Sequence, residues 1–161
     1  MVLFTGGTLM SDKILIAYYS YSGNTRAVAE KIKALTGGDL FEIKPVKAYP
    51  ANYNDMVNLA QKEKSENIKP ELTDNIDVSA YDTIYVGSPV WWYTFASPMR
   101  TFLYKNDFSG KTIKPFCTHG GGGASNTYSD IKKLCPMATV KEGFAAFENS
   151  AKDTDIEQWV K

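Results

Sequence analysis

The sequence is poor in the residues that usually bind metal ions or form disulfide networks. It has one histidine, His119, and two cysteines, Cys117 and Cys135, in 161 residues. A single histidine excludes a multi-histidine metal site, and two cysteines without C-x-x-C spacing are too few for a zinc site. We therefore predict no metal ligands. We expect both cysteines to be reduced thiols, as is typical of a cytoplasmic protein.

The chain also lacks net charge, because 18 lysines and arginines balance 18 aspartates and glutamates. A nucleic-acid-binding surface would require an excess of basic residues, so we predict no nucleic-acid partner. No apolar stretch approaches the roughly 20 residues that cross a bilayer, so we predict no membrane association. Residues 1–12 have no basic start and only a short apolar patch. We expect them to be an N-terminal tail, followed by one domain at 13–161.

What the sequence does contain is an alternation of strand-like apolar runs and helical patterns, beginning with a strand at 13–19. Further strands are expected at 40–43, at 83–87, at 113–118 and within 140–147. Helices are expected at 25–35, 53–64, 97–104, 125–134 and 153–160. We expect Ser97 to cap the third helix, with Pro98 as its first residue, and Ser125 to cap the fourth. This order predicts an α/β fold with a doubly wound five-stranded parallel sheet and helices on both faces.

A hydroxyl-rich turn follows the first predicted strand and precedes the first predicted helix. It contains Ser20, Ser22, Gly23, Asn24 and Thr25. Backbone N–H groups at a helix start are unpaired, and the helix dipole favours an anion there. Gly23 would let the backbone approach a ligand closely, and the polar side chains would add hydrogen bonds. The turn contains no lysine or arginine, so it predicts a phosphate site built mainly from neutral donors.

The loop after the third predicted strand is rich in aromatic residues, with Trp91, Trp92 and Tyr93 in succession. Three consecutive large aromatic side chains cannot all enter a core from one loop, so some must face a cleft or solvent. Aromatic faces there could stack on a planar ligand. The alternative is that Trp91 and Phe95 only cover the sheet.

The loop after the fourth predicted strand consists of His119 and the four glycines 120–123, followed by an alanine. Peptide groups without Cβ atoms allow a flat ligand to lie against the backbone. The alternative is a surface loop with no ligand. His119 could donate a hydrogen bond to a ligand or could merely cap this loop.

Together these three segments resemble the flavodoxin-like family, which binds FMN. The resemblance covers nearly all of 13–160, and the absence of a long insertion around the fifth strand is typical of short-chain members. It implies the strand order 2-1-3-4-5. It also implies that the first segment holds the FMN phosphate and that the other two flank the isoalloxazine ring. The implied FMN-binding residues are Ser20, Ser22, Gly23, Asn24, Thr25, Pro89, Val90, Trp91, Trp92, Tyr93, Thr118, His119, Gly120, Gly121, Gly122 and Gly123.

The resemblance implies a role in redox metabolism and leaves three functions open. The first is a flavodoxin that carries electrons between redox partner proteins. The second is an NAD(P)H-dependent FMN reductase that passes electrons to small, quinone-like acceptors. The third is a phosphate-ligand binding module without redox function. No side chain is expected to act as a catalytic acid or base.

The segments expected beside the flavin ring contain no acidic residue, either in 88–98 or in 119–129. Negative charge near the ring disfavours an anionic reduced flavin and lowers its potential. We therefore expect this means of lowering the potential to be missing, unlike in the strongly acidic electron carriers of the family.

Overall fold

A mainly parallel β-sheet forms the centre of the computed structural model, which describes residues 13–161. The predicted tail at 1–12 lies outside the described residues. The strands are β1 (Ile14–Tyr18), β2 (Asp39–Glu42), β3 (Thr83–Trp91), β4 (Thr94–Phe95), β5 (Thr112–His119), β6 (Thr139–Val140) and β7 (Phe144–Phe147). The helices are α1 (Asn24–Thr36), α2 (Tyr53–Ser65), α3 (Ser97–Lys105), α4 (Thr127–Leu134) and α5 (Asp153–Val160).

The strand order confirms the predicted parallel sheet, with two differences in detail. From one edge the order is β2-β1-β3-β5, and both β6 and β7 pair in parallel with β5. The fifth position is thus occupied by two short strands rather than by one. In addition, β4 pairs antiparallel with the end of β3. The predicted 83–87 strand continues to Trp91, so residues 90–95 of the expected aromatic loop form a hairpin.

Helices cover both faces of the sheet, because successive residues of the buried strands point to opposite sides. On one face, Ile16 and Phe116 pack with Val28 and Ile32 of α1 and with Ile156 of α5. The core of the other face includes Leu15, Ile84 and Ile113 of the sheet, Phe102 of α3 and Ile131 of α4. Burial of apolar side chains on both faces holds the loops at the strand ends in fixed positions.

Two of the predicted helix caps are wrong. Helix α3 begins at Ser97 itself, with Ala96 as its N-cap, so Pro98 is the second helical residue. The N-cap of α4 is Asn126, whereas Ser125 lies outside the helix with a left-handed φ of 49°. Serine at a helix start favours a cap but does not fix its register, which here follows from the turn that each helix leaves.

None of the helices in residues 13–161 is long and apolar enough to cross a membrane.

Candidate functional site

The three predicted segments meet at one cleft, at the carboxyl ends of β1, β3 and β5. The cleft has a volume of about 630 Å³, which lies within the usual range for small-molecule sites, about 300–1,000 Å³. The predicted residues that line it are Ser22, Asn24, Pro89, Val90, Trp91, Trp92, Tyr93, Thr118, His119, Gly120, Gly122 and Gly123. The other four, Ser20, Gly23, Thr25 and Gly121, belong to the same three segments but are not among the lining residues.

The turn before α1 presents free backbone donors to the cleft. The Ser20 hydroxyl oxygen accepts hydrogen bonds from the backbone N–H groups of Gly23 (3.1 Å) and Arg26 (3.2 Å) and so closes the turn. Within residues 13–161, the N–H groups of Ser22, Asn24 and Thr25 have no hydrogen-bond acceptor. These unpaired donors lie at the positive end of the helix dipole, which is the arrangement that binds a phosphate.

Gly23 is required in this turn by its backbone conformation. It is the N-cap of α1 and has a φ of 98°, a value that residues with a Cβ atom rarely adopt. A Cβ atom added at Gly23 would meet no protein atom within 4 Å. The open space there is available to a ligand, as the sequence predicted, but the protein's own requirement for glycine is the left-handed φ.

Arg26 is the first cation after the turn, but it is not among the residues that line the cleft. Its guanidinium pairs with the carboxylate of Glu42 on β2. The nearby Glu42 carboxylate raises the pKa of Arg26. The donors that this turn offers to the cleft are therefore neutral groups.

Thr25 and Thr118 join the first and third segments below the cleft. Their hydroxyl oxygens lie 2.7 Å apart, and both side chains are buried. The hydroxyl of Thr25 therefore points towards β5 and contributes to the site by fixing the turn before α1 relative to the glycine loop.

The aromatic segment is a two-residue hairpin. Trp91 pairs with Thr94, and the turn residues Trp92 and Tyr93 have φ angles of 53° and 72°. Tight hairpins favour positive φ at both turn positions, where glycine or asparagine is usual. Two bulky residues in this conformation store strain, at roughly 1–2 kcal/mol each. Neighbouring elements must hold the turn in place.

Three hydrogen bonds hold the hairpin from both sides. The Lys64 ammonium donates to the Trp92 carbonyl oxygen (2.5 Å) and lies 5.5 Å from the centre of the Tyr93 ring. The Trp92 indole Nε1–H donates to the carbonyl oxygen of Val57 (2.9 Å). On the other side, the Asn126 N–H donates to the Tyr93 carbonyl oxygen (2.8 Å). The hairpin is thus fixed to both α2 and the start of α4.

Trp91 packs within an aromatic cluster as well as lining the cleft. Its ring makes edge contacts with Tyr49 (4.9 Å between centroids), Tyr19 (5.5 Å) and Tyr21 (5.6 Å). The Tyr49 hydroxyl donates to the Glu63 carboxylate. Burial raises the pKa of Tyr49 well above its usual range, and the hydrogen bond to the negatively charged Glu63 carboxylate raises it further. Trp91 therefore combines the two functions considered for it: it covers the sheet and faces the cleft.

His119 caps the glycine loop. Its Nδ1 accepts hydrogen bonds from the backbone N–H groups of Gly121 (3.1 Å) and Gly123 (3.2 Å). Because Nδ1 is an acceptor in both, the neutral ring carries its proton on Nε2. The structure shows the capping function, and it leaves Nε2–H as the donor that a ligand could use.

The glycine loop leaves space for a ligand. A Cβ atom at Gly120, Gly122 or Gly123 would meet no protein atom within 4 Å, and all three residues line the cleft. Gly121 and Gly123 have left-handed φ angles of 123° and 72°. The loop therefore presents bare backbone to the cleft, as the sequence predicted for a flat ligand.

Sequence reasoning missed an acidic residue in the cleft. Glu148 lines it, and its backbone N–H donates to the carbonyl oxygen of His119 (2.8 Å). The expectation that no acid lies at the ring position was drawn from 88–98 and 119–129, whereas Glu148 follows β7, the strand beside β5. Parallel pairing of β5 and β7 ends both strands at the same edge of the sheet.

Helix α2 also contributes unpredicted cleft residues. The sequence predicted this helix but gave it no part in the site, whereas four of its residues line the cleft. The lining residues outside the predicted set are Tyr21, Tyr53, Met56, Val57, Ala60, Ser125 and Glu148. The donors at α1, the aromatic hairpin and the bare glycine backbone fit the phosphate and the planar ring of FMN.

Comparison with known proteins agrees with this geometry. The Flavodoxin family model matches residues 13–161. A protein from Bacteroides eggerthii described as a flavoprotein is 31% identical with a TM-score of 0.83, covering 93% of this chain and 96% of that one. A flavoprotein from Lactobacillus acidophilus, solved in complex with FMN, is 30% identical with a TM-score of 0.75, covering 94% and 100%.

A more distant similarity concerns the fold alone. Oxidised Flavodoxin 2 from Bacillus cereus is 22% identical with a TM-score of 0.56, covering 91% of this chain and 92% of that one.

The family model matches the whole described chain, and the cleft lies at the strand ends. The chain belongs to the flavodoxin family.

Proposed function

We propose that this flavodoxin-family protein transfers electrons through FMN held in the cleft. The observation that carries the proposal is the meeting of three features at one strand edge. These are the free N–H groups before α1, the Trp91–Tyr93 hairpin and the open glycine loop at 120–123. The flavin would supply the electron chemistry, and the protein would supply binding, orientation and the electrostatic surroundings.

Each segment has a separate task in this proposal. The N–H groups of Ser22, Asn24 and Thr25 bind the phosphate, aided by the hydroxyl and amide side chains of the first two. The aromatic hairpin and the peptide groups of the glycine loop border the ring. His119 keeps the loop folded through Nδ1 and offers Nε2–H to the ligand.

The charge of the cleft favours an electron carrier over a nicotinamide-dependent reductase. Among the lining residues of the described chain, Glu148 is the only one with a full charge, and it is negative. A nicotinamide dinucleotide carries a pyrophosphate, which proteins usually bind with basic residues or a second helix N-terminus. We therefore infer that electrons arrive from a redox partner protein.

One observation favours the second candidate, an FMN reductase that serves small quinone-like acceptors. The cleft extends past the predicted flavin residues along α2, as the lining by Tyr53 and Val57 shows. A simple carrier would not need this extension.

The proposal includes a cytoplasmic location, which is supported by two buried free thiols, Cys117 and Cys135.

Two measurements test the proposal. Titration of the purified protein with FMN should give one saturable site, and absence of binding would refute the proposal. Stopped-flow mixing of the FMN-loaded protein with NADH or NADPH should leave the flavin absorbance unchanged over many seconds, whereas dithionite should bleach it. Rapid bleaching by either nucleotide would exclude the carrier and establish the reductase.

A further inference from the structure

We propose that Arg100, a buried residue of α3, is a positioning residue that holds the aromatic hairpin at the cleft together with the carboxylates of Glu63 and Asp130. None of these three charged residues lines the cleft, so their effect on a ligand would pass through the hairpin. The inference rests on the proposed function, because FMN bound in the cleft reports the position of the hairpin.

Arg100 carries a charge into the protein interior. It is only 9% exposed, and within residues 13–161 it makes no direct ion pair. It donates a hydrogen bond to the Ser97 hydroxyl oxygen (3.3 Å). A buried guanidinium loses its hydration and therefore requires compensating charges nearby. Burial lowers the pKa of Arg100, whereas the negative charges of Asp130 and Glu63 oppose this shift. These two carboxylates are therefore the compensating groups.

The guanidinium group of Arg100 contacts the aromatic hairpin directly. Its central carbon lies 5.2 Å from the centre of the Phe95 ring, which is within the range of a cation–π interaction. Phe95 is only 2% exposed, and this attraction is stronger where water is excluded. Phe95 pairs across the hairpin with Val90, and Val90 lines the cleft. Arg100 is thus connected to the cleft through one pair of strand residues.

Asp130 of α4 binds the neighbouring residue of the same strand. Its carboxylate accepts a hydrogen bond from the Thr94 hydroxyl (2.6 Å), and Thr94 pairs with Trp91 across the hairpin. Thr94 is 2% exposed, so loss of this acceptor would leave a buried hydroxyl without its partner. The attraction between Arg100 and Asp130 therefore helps to keep the carboxylate within reach of Thr94.

Glu63 of α2 acts on Trp91 through Tyr49. Glu63 is 8% exposed and accepts a hydrogen bond from the Tyr49 hydroxyl. The Tyr49 ring contacts the Trp91 ring, with 4.9 Å between the centroids, and Trp91 lines the cleft. The three charged residues are thus connected to the hairpin at positions 91, 94 and 95.

These connections support a turn that has strained backbone angles. Trp92 and Tyr93 lie between the supported positions and have positive φ angles. Helices α2, α3 and α4 each supply one charge, and both carboxylates attract the same cation. A buried carboxylate that loses its counter-charge is unfavourable. Removal of Arg100 should therefore displace the two carboxylates, and the hairpin residues that depend on them should lose their position at the cleft.

The first test compares Arg100→Met with the conservative variant Arg100→Lys. Methionine is a long, unbranched side chain without charge, whereas lysine keeps the charge. We expect the Kd for FMN to rise about fivefold or more in Arg100→Met and about twofold or less in Arg100→Lys. At saturating FMN, the visible circular dichroism of the bound flavin reports the groups around its ring. This spectrum should change in Arg100→Met and stay close to the parent spectrum in Arg100→Lys.

A second change separates a charge effect from lost packing. Asp130→Asn removes one negative charge and keeps a side-chain oxygen that can accept from Thr94. If Arg100 compensates this charge, the double variant Arg100→Met/Asp130→Asn should bind FMN about twofold or more tighter than Arg100→Met alone. Simple addition of the two single effects would mean that Arg100 only fills space, which would overturn the inference.

Thr101→Val is the matched control on the same helix. Thr101 is 3% exposed, and its hydroxyl donates to the carbonyl oxygen of Pro70 (2.7 Å). The change therefore removes a buried polar contact outside the hairpin. We expect lower stability to urea, a Kd for FMN within about twofold of the parent value, and an unchanged flavin spectrum. If Thr101→Val weakens FMN binding as much as Arg100→Met does, a general loss of stability is responsible and the inference is wrong.

The remaining outcomes also decide the inference. If Arg100→Met keeps the parent Kd and flavin spectrum, the inference fails while the FMN proposal stands. If Arg100→Met does not fold, Asp130→Asn decides: a rise in the Kd for FMN of about twofold or more supports the inference, and a parent value overturns it. If the parent protein binds no FMN, the proposed function fails. Tryptophan emission of the ligand-free protein then tests the hairpin, and equal emission of Arg100→Met and the parent would refute the positioning role.

Discussion

The hydroxyl oxygens of Thr25 and Thr118 lie 2.7 Å apart, and they connect residues that are 93 positions apart in the chain. Thr25 lies at the start of α1 and Thr118 near the end of β5, so this contact couples the turn before α1 to the strand that leads into the glycine loop. Both side chains are buried. The pair therefore aligns the two segments, and Thr118 also lines the cleft.

Replacing one partner of this pair should destabilise the protein. In Thr118→Val the Thr25 hydroxyl remains buried without a partner, which costs about 1–3 kcal/mol of unfolding free energy. Urea unfolding measures this loss, and a titration should show weaker FMN binding. The double variant Thr25→Val/Thr118→Val removes both polar groups and should recover part of the stability. A double variant less stable than the sum of the two single changes would contradict the assignment.

Gly23→Ala should weaken FMN binding because Gly23 has a φ of 98°. Forcing a residue with a Cβ atom into this region costs about 1–2 kcal/mol, or moves the turn and its N–H groups. Gly110 offers a matched control: its φ is 76°, and a Cβ atom there also meets no protein atom within 4 Å. Gly110→Ala should lower stability by a similar amount and leave the Kd for FMN unchanged. Equal FMN affinity in both variants would remove Gly23 from the site.

Most of this fold could be predicted from the sequence, because the long strands are apolar runs and the helices have apolar residues at helical spacing; the two-residue strands β4 and β6 have no such signal. The predicted bounds of α5, 153–160, match the structure, and those of β1 differ by one residue at each end. The registers of the helix caps could not be predicted. Ser97 and Ser125 have the chemistry of a cap, but the preceding turn decides which residue takes that position.

The site could be predicted only where its residues are adjacent in sequence. The three segments predicted to bind the flavin have unusual compositions, so each can be recognised in the sequence by itself. Glu148 is a single ordinary residue, and only the pairing of β7 beside β5 brings it to the cleft. The same holds for Val57, whose spacing on α2 indicates an apolar face but not whether a core or a ligand covers it.

Lys64→Met should loosen the aromatic hairpin. The variant loses the ammonium that binds the Trp92 carbonyl oxygen, while Trp92 and Tyr93 keep their strained backbone angles. We expect the Kd for FMN to rise by about twofold to fivefold, since an exposed charged contact contributes modestly. Tryptophan emission should shift as the indole becomes more mobile. Lys62→Met, on the same exposed helix turn, is the control, and an equal effect of both changes would argue against the Lys64 contact.

Glu148→Gln should raise the reduction potential of the bound flavin. Glu148 lines the cleft, and its negative charge would disfavour the negative charge that a bound flavin gains on reduction. Removing it should raise the two-electron potential by about 10–30 mV, given that 30 mV corresponds to about 1.4 kcal/mol. Spectroelectrochemistry measures the shift. Glu142→Gln, which removes the same charge at the opposite end of the sheet, should leave the potential unchanged, and a shift there as large would indicate a nonspecific charge effect.

Alkaline pH should destabilise the protein through its buried thiol and phenol groups. Burial raises the pKa of the Cys135 thiol from 9.0 to about 11, and burial also raises the pKa of Tyr19. As the pH rises from 9 to 11, the unfolded chain loses the Cys135 proton while the folded protein keeps it. The unfolded state then binds fewer protons, so the unfolding free energy falls with pH.

The contribution of Cys135 has a maximum slope of about 1.4 kcal/mol per pH unit. Urea unfolding under reducing conditions, at several pH values from about 8 to about 11, measures how steeply the unfolding free energy declines with pH. The Cys135→Ala variant should show a shallower decline over this range, although the other buried groups still contribute. Cys135 is only 6% exposed, so ionisation of its thiol in the folded protein would place a charge among apolar side chains. An unchanged slope in Cys135→Ala would mean that this thiol ionises as readily in the folded protein as in the unfolded chain.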